Sequence, residues 1–198
     1  MLGDRFEGLH PRLRAYFSAI PSGSSGVGEG LFAAVGTPRR WLRPFIGLLA
    51  DPDVLFPVWE LDVPFSIVNT PALDGGRPAV AAERMFRLAG GSRTMRDLIV
   101  ATPEGLVDIL GARRRFRALF AAEIVDGGLR LESTRVAVRI GSRHVVVPGF
   151  VAPRVRLIER FSEADELQHV EVTVSLPVLG KVYEYAGSFR YEPRAGRE

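Results

Sequence analysis

From Val63 to Tyr191 apolar residues recur at every second position, and short glycine-containing turns separate the runs. Consecutive β-hairpins produce this pattern and helices do not. Val63, Phe65 and Ile67 open the series, and Asp74, Gly75 and Gly76 mark its first turn. Val80 to Leu88 and Thr94 to Ala101 flank Gly90-Gly91, a two-residue turn whose positive φ angles cost glycine little. Arg115 to Val125 and Leu129 to Ile140 flank Asp126-Gly127, a type I′ signal. With those two as the loop, Glu123 faces Arg130; with Gly127-Gly128 it would face Glu132 and be repelled, so the first register is expected.

The same reasoning extends to the C-terminus. Gly141-Ser142 suits a type II′ turn and sets Val138 opposite Val145 and Val136 opposite Val147. Arg154 to Phe161 and His169 to Ser175 pair around a charged turn, with Val170, Val172 and Val174 on one face. In the last strand, Val182 to Tyr191, Tyr183, Tyr185, Phe189 and Tyr191 share one parity and Glu184, Ser188 and Arg190 the other. The result is a mainly β chain, an antiparallel meander of about nine strands. A twisted sheet of that size curls or closes, giving a curved sheet or a barrel of lipocalin-like shape.

Ahead of the meander, Phe6, Leu9, Leu13, Tyr16 and Phe17 have helical spacing interrupted near Pro11. Pro21 to Gly30 is rich in glycine and serine and reads as a flexible loop; helix is expected again around Trp41 to Leu49. The expectation is therefore one domain over 1–198, with residues 1–59 a helical N-terminal segment and 60–192 the β body.

Composition narrows the function classes. Apolar residues make up 46% and charged residues 25%, as in ordinary globular domains. The longest apolar stretch, Trp41 to Trp59, contains Arg43, Asp51, Asp53 and three prolines, so no transmembrane segment is expected. The chain has no cysteine, and its first residues lack a secretory pattern, which points to the cytoplasm. A pI near 9.8 suggests a nucleic-acid partner, but the net charge is only +3 and 25 of the 26 basic residues are arginine. Guanidinium pKa values raise the computed pI by themselves, so no nucleic-acid partner is expected. Arg113, Arg114, Arg115 and Arg117 form the densest cluster, yet strand alternation lets only Arg115 and Arg117 project together, and no stacking aromatic interleaves on that face.

No motif carries a reaction. Gly26-Val27-Gly28-Glu29-Gly30 has the outward look of a phosphate loop but lacks the following Gly-Lys-Ser or Gly-Lys-Thr. His10, His144 and His169 have no metal-ligand spacing, so no metal and no cofactor is expected, and no serine sits in a nucleophile elbow. Glu60 and Asp62 read as polar residues of an exposed face. One polar pair stands out. The Gly90-Gly91 turn places Arg84 opposite Asp97, and both have the parity of the apolar residues around them. A buried ion pair is costly unless well bonded, so it serves either structure or a ligand's polar group.

Val107-Asp108-Ile109-Leu110-Gly111, Gly127-Gly128-Leu129-Arg130, Pro177-Val178-Leu179-Gly180 and Tyr185-Ala186-Gly187-Ser188-Phe189 together resemble the family known as domain of unknown function 4166. Leu9-His10-Pro11-Arg12-Leu13 and Val63-Pro64-Phe65 are similar to its N-terminal pattern, while Ile109 stands where the family has an aromatic. The resemblance implies a bacterial origin and an oxidoreductase partner, since related sequences are fused to such domains.

The functional expectation is noncatalytic binding of a hydrophobic or amphipathic small molecule in a β-sheet cavity, at Arg84, Asp97, Tyr183, Tyr185 and Phe189. The alternative is an accessory domain or enzyme acting with an oxidoreductase on a lipid-like substrate. A third reading makes Trp41 to Trp59 a patch for a partner or a membrane surface.

Overall fold

The computed structural model describes residues 3–49 and 51–195. A 3-10 turn, Gly3–Gly8, and a short helix α1, Pro11–Phe17, precede strand β1, Ser25–Gly36. A second 3-10 turn, Arg40–Leu42, and helix α2, Arg43–Leu49, lead to β2, Trp59–Asp74. Then follow β3 Arg77–Leu88, β4 Gly91–Thr102, β5 Gly105–Leu110, β6 Phe116–Val125, β7 Gly128–Ile140, β8 Arg143–Val146, β9 Arg154–Ser162, β10 Leu167–Leu176 and β11 Gly180–Arg194. Each strand from β1 to β7 pairs antiparallel with the next; β7 pairs with β9, β9 with β10, β10 with β11, and β11 with β1. Ten strands thus form a closed barrel, with β8 an added short hairpin arm on β7.

The barrel outcome of the sequence reading stands, and the strand count rises from nine. β5 is one added strand. The other is β1, which occupies the stretch read as a flexible loop, so a wall strand lies inside the segment expected to be helical. Composition misled here because the glycines serve packing. Gly26 and Gly28 face the interior, and a Cβ at Gly26 would collide with Tyr191 and one at Gly28 with Ile67 and Phe189. Side-chain-free positions let β1 approach the aromatics of β11, which closes the ring.

Two turns formed as the sequence dictated. Asp126 and Gly127 both have positive φ, Glu123 lies opposite Arg130 and bonds it at 3.2 Å. Val138 faces Val145, and Val147 donates its N–H to the Val136 carbonyl. The β3–β4 turn sits one residue earlier than expected, which shifts the register by two. Ala89 and Gly90 make the turn, Gly91 follows at φ +108°, and Glu60 accepts the Ala89 N–H at 2.7 Å. Arg84 therefore lies opposite Met95, and Asp97 opposite Ala82. A shift of two preserves parity, so both side chains keep the inward face.

Both ends are covered. At one, α1 sits over the β6–β7 and β9–β10 turns: the His10 N–H donates to the Gly127 carbonyl, His10 Nε2 meets Glu163 Oε1 at 2.8 Å, and its ring stacks on Phe161. Leu13 is fully buried against the inner face of β6 and β7. At the other end the connection carrying α2 turns inward at Phe56, whose N–H donates to the Tyr183 hydroxyl. No helix among the described residues is long and apolar enough to cross a membrane.

Gly28→Val pushes a branched side chain into Ile67 and Phe189 and is expected to cost about 1–3 kcal/mol by urea denaturation. Glu29→Val, on the exposed face of the same strand, is expected to stay within about 0.5 kcal/mol. Equal effects would remove β1 from the barrel wall.

Candidate functional site

The lumen divides into a filled wall and an empty one. Phe32, Phe65, Phe86, Phe189 and Tyr185, from β1, β2, β3 and β11, pack edge to face or tilted, with Phe32–Phe65 and Phe65–Phe189 centroids 4.5 and 5.7 Å apart. Opposite them, against β4–β7 and β9, two chambers remain. One, of about 350 Å³, lies beneath α1 and is lined by Tyr16, Ile99, Leu106, Phe120, Leu131 and Glu159 among others. The second, of about 200 Å³, lies nearer the α2 end and is bordered by Met95, Asp108, Leu110, Val172, Tyr183 and Tyr185. Arg84, Ile99, Leu106, Phe120, Leu131 and Leu157 line both, so Arg84 sits where the chambers meet.

The polar residues of the interior follow the barrel's diagonals. Arg84 faces Met95, two residues from Asp97; Asp97 faces Leu110, two residues from Asp108. In tilted strands these diagonal neighbours share a face within reach of long side chains. Arg84 Nη1 donates to Asp97 Oδ1, and the Asp97 side chain is 1% exposed. On another wall the same diagonal offset joins Gln168 to Glu159: Gln168 Nε2 donates to Glu159 Oε1 at 2.6 Å, and Glu159 is 3% exposed.

Burial opposes every charge in this interior. It works against the Arg84 cation, but Asp97, Tyr185, Tyr16 and Asp108 more than offset it, and the Arg84 pKa is raised. Burial raises the Asp97 pKa against the pull of Arg84. Burial, and then the charge of Asp97, push Asp108 well above the ordinary carboxylate range, while Arg84 pulls it down. Burial raises Glu159 to about 7, with the Gln168 hydrogen bond and Arg84 restraining the shift. Asp97 Oδ2, Asp108 Oδ1 and Asn69 Oδ1 are buried without a hydrogen-bond partner.

The structure brings Arg84, Tyr183 and Tyr185 to the chambers, and Asp97 behind Arg84 as its counter-ion. Arg84 and Asp97 meet diagonally, correcting the directly opposed placement. Phe189 belongs to the filled aromatic wall and borders neither chamber. The sequence reading missed Tyr16, Asn69, Asp108, Glu159 and Gln168. Parity would have found four of them: Asn69 continues Phe65 and Ile67, Asp108 lies between Leu106 and Leu110, Glu159 follows Val155 and Leu157, and Gln168 precedes Val170. Elsewhere the histidines lie apart, His144 Nε2 near the Arg114 carbonyl and His169 beside Asp165, and Arg114 pairs with Asp74.

A closed, end-capped antiparallel barrel with charged groups inside a partly empty lumen defines the class of protein. The family model described as Domain of unknown function (DUF4166) matches residues 9–189, and the chain belongs to that family. It is also similar to "Uncharacterized protein YndH" of Bacillus subtilis (strain 168), 23% identical over 190 residues that span 94% of this chain and 92% of that protein.

Glu159 holds its proton to about pH 7 when folded but loses it near 4.5 when unfolded. Between those values only the folded state binds the proton, so stability falls as pH rises, by up to about 3 kcal/mol from this group. Tyr16, Arg84 and Gln168 are the polar groups facing it. Glu159→Gln is expected to lose less stability than the parent between about pH 5 and pH 8 in urea titrations, with Asp97 and Asp108 supplying the remaining slope. Identical slopes would place Glu159 in water.

Proposed function

We propose that this barrel binds one hydrophobic or amphipathic small molecule in its lumen without transforming it, with the polar end of the ligand at Arg84. The observation that carries this reading is the pair of adjoining chambers, about 350 and 200 Å³, walled mostly by aliphatic and aromatic side chains. Pockets of roughly 300–1,000 Å³ with apolar walls and a few converging polar groups are what small-molecule sites look like. A merely structural barrel would gain stability by filling such a space, since an interior void forfeits dispersion contacts. Arg84 supports the placement of the polar end: it borders both chambers, and only one of its five N–H groups is engaged by Asp97 Oδ1.

Native mass spectrometry of the protein purified from its producing cells, followed by denaturation and small-molecule extraction, tests the reading. A stoichiometric co-purifying amphiphile is expected. Ile99→Trp, which fills the junction of the chambers, is expected to retain the fold by circular dichroism and to lose that molecule. A clean apo mass for both proteins, with no uptake of added amphiphiles, would end the proposal.

A further inference from the structure

An arginine inside an apolar barrel invites the assumption of a fatty-acid carboxylate as ligand, and the charge inventory of this lumen argues otherwise. The Arg84 cation already has the Asp97 carboxylate as its counter-ion. Two more carboxyl groups share the interior, Asp108 on the lower chamber and Glu159 on the upper. Glu104, at the rim of the chamber beneath α1, is exposed and pairs with Arg135 rather than with any group of the lumen. The interior therefore carries three carboxyl groups for one arginine, with two carboxylate oxygens, Asp97 Oδ2 and Asp108 Oδ1, buried and unpartnered. A buried acceptor left without a donor costs about 1–3 kcal/mol, and the free N–H groups of Arg84 reach neither of these two oxygens, so each calls for a donor from elsewhere.

Resting on the lumen-binding reading, we infer that the polar group of the ligand is a hydrogen-bond donor, an amine or a hydroxyl, and not a carboxylate. A carboxylate would add a fourth acid beside one arginine that already has a counter-ion, and would leave Asp108 Oδ1 unanswered. A donor group in the chamber nearer α2 meets Asp108, while its chain passes Ile99, Leu106 and Phe120 into the chamber beneath α1. An ammonium would in addition favour the charged form of Asp108, which burial otherwise opposes. A hydroxyl would supply the donor alone, and Arg84 would still have N–H groups to meet its oxygen.

Calorimetric titration of the full chain with dodecylamine, dodecanol and dodecanoate separates the possibilities, and Ile99→Trp serves as the control for binding outside the lumen. The amine or the alcohol is expected to bind at least about tenfold tighter than the acid, a difference of about 1.4 kcal/mol. Asp108→Asn, which retains an acceptor oxygen and removes the charge, is expected to weaken the amine about tenfold and the alcohol less. Preference for the amine identifies a cationic donor, and equal binding of amine and alcohol a neutral one. Dodecanoate binding as tightly as either would overturn this inference while leaving the lumen reading intact. Failure of all three would overturn both.

Discussion

Closure of ten strands into one ring is the constraint from which the rest of this structure follows. A ring of that size encloses more space than an eight-stranded barrel, whose inward side chains can meet across the axis. Here the ring is completed where β1 slides between β2 and β11, and inward glycines on β1 leave room for Ile67, Phe189 and Tyr191. The large aromatics consequently gather on that wall. On the far side Ile99, Leu106 and Ala118 are too short to reach them, and the chambers lie in between.

Much of this was legible from the residues because a period of two and a turn are local signals. Asp126-Gly127 and Gly141-Ser142 set their registers through backbone conformations that few residue pairs adopt, and the Glu123–Arg130 pairing decided between two alternatives. β1 was illegible for the opposite reason. Its glycines answer to the bulk of Tyr191 and Phe189, more than 160 positions away in the chain, and nothing nearby distinguishes a stripe of inward glycines from a flexible linker. The Arg84–Asp97 contact was half legible: parity fixed the face, while the exact partner depended on Glu60 holding the Ala89 N–H. Asp108 went unread because the six residues of β5 were not recognised as a strand, so the parity it shares with Leu106 and Leu110 was never applied.

Placing four ionisable groups inside the ring is energetically unfavourable unless each is answered. The diagonal arrangement does this incompletely: Arg84 answers Asp97, Gln168 answers Glu159, and Asp108 keeps a proton more readily than an exposed acid would. Apolar replacements would pack the same space at less cost. The lumen-binding proposal gives these acids and the spare volume beside them a common use, which packing alone does not.

One irregularity in the wall decides where the ring is most thinly joined. β8 and β9 lie along the same edge of β7, and five extra residues separate their registers: Ala137 faces Val146, but Glu132 faces Arg156. Between them the ladder is reduced to the Val147–Val136 backbone bond and a bond from the Val155 N–H to the Ser133 hydroxyl, and Pro153 there borders the lower chamber. A closed barrel otherwise has no edge from which to unzip. The interruption makes this the sparsest seam of the ring: β7 and β9 hold a regular ladder only from Leu129 to Glu132, while the nine other seams run as longer ladders, so the wall is most thinly stitched beside the lower chamber.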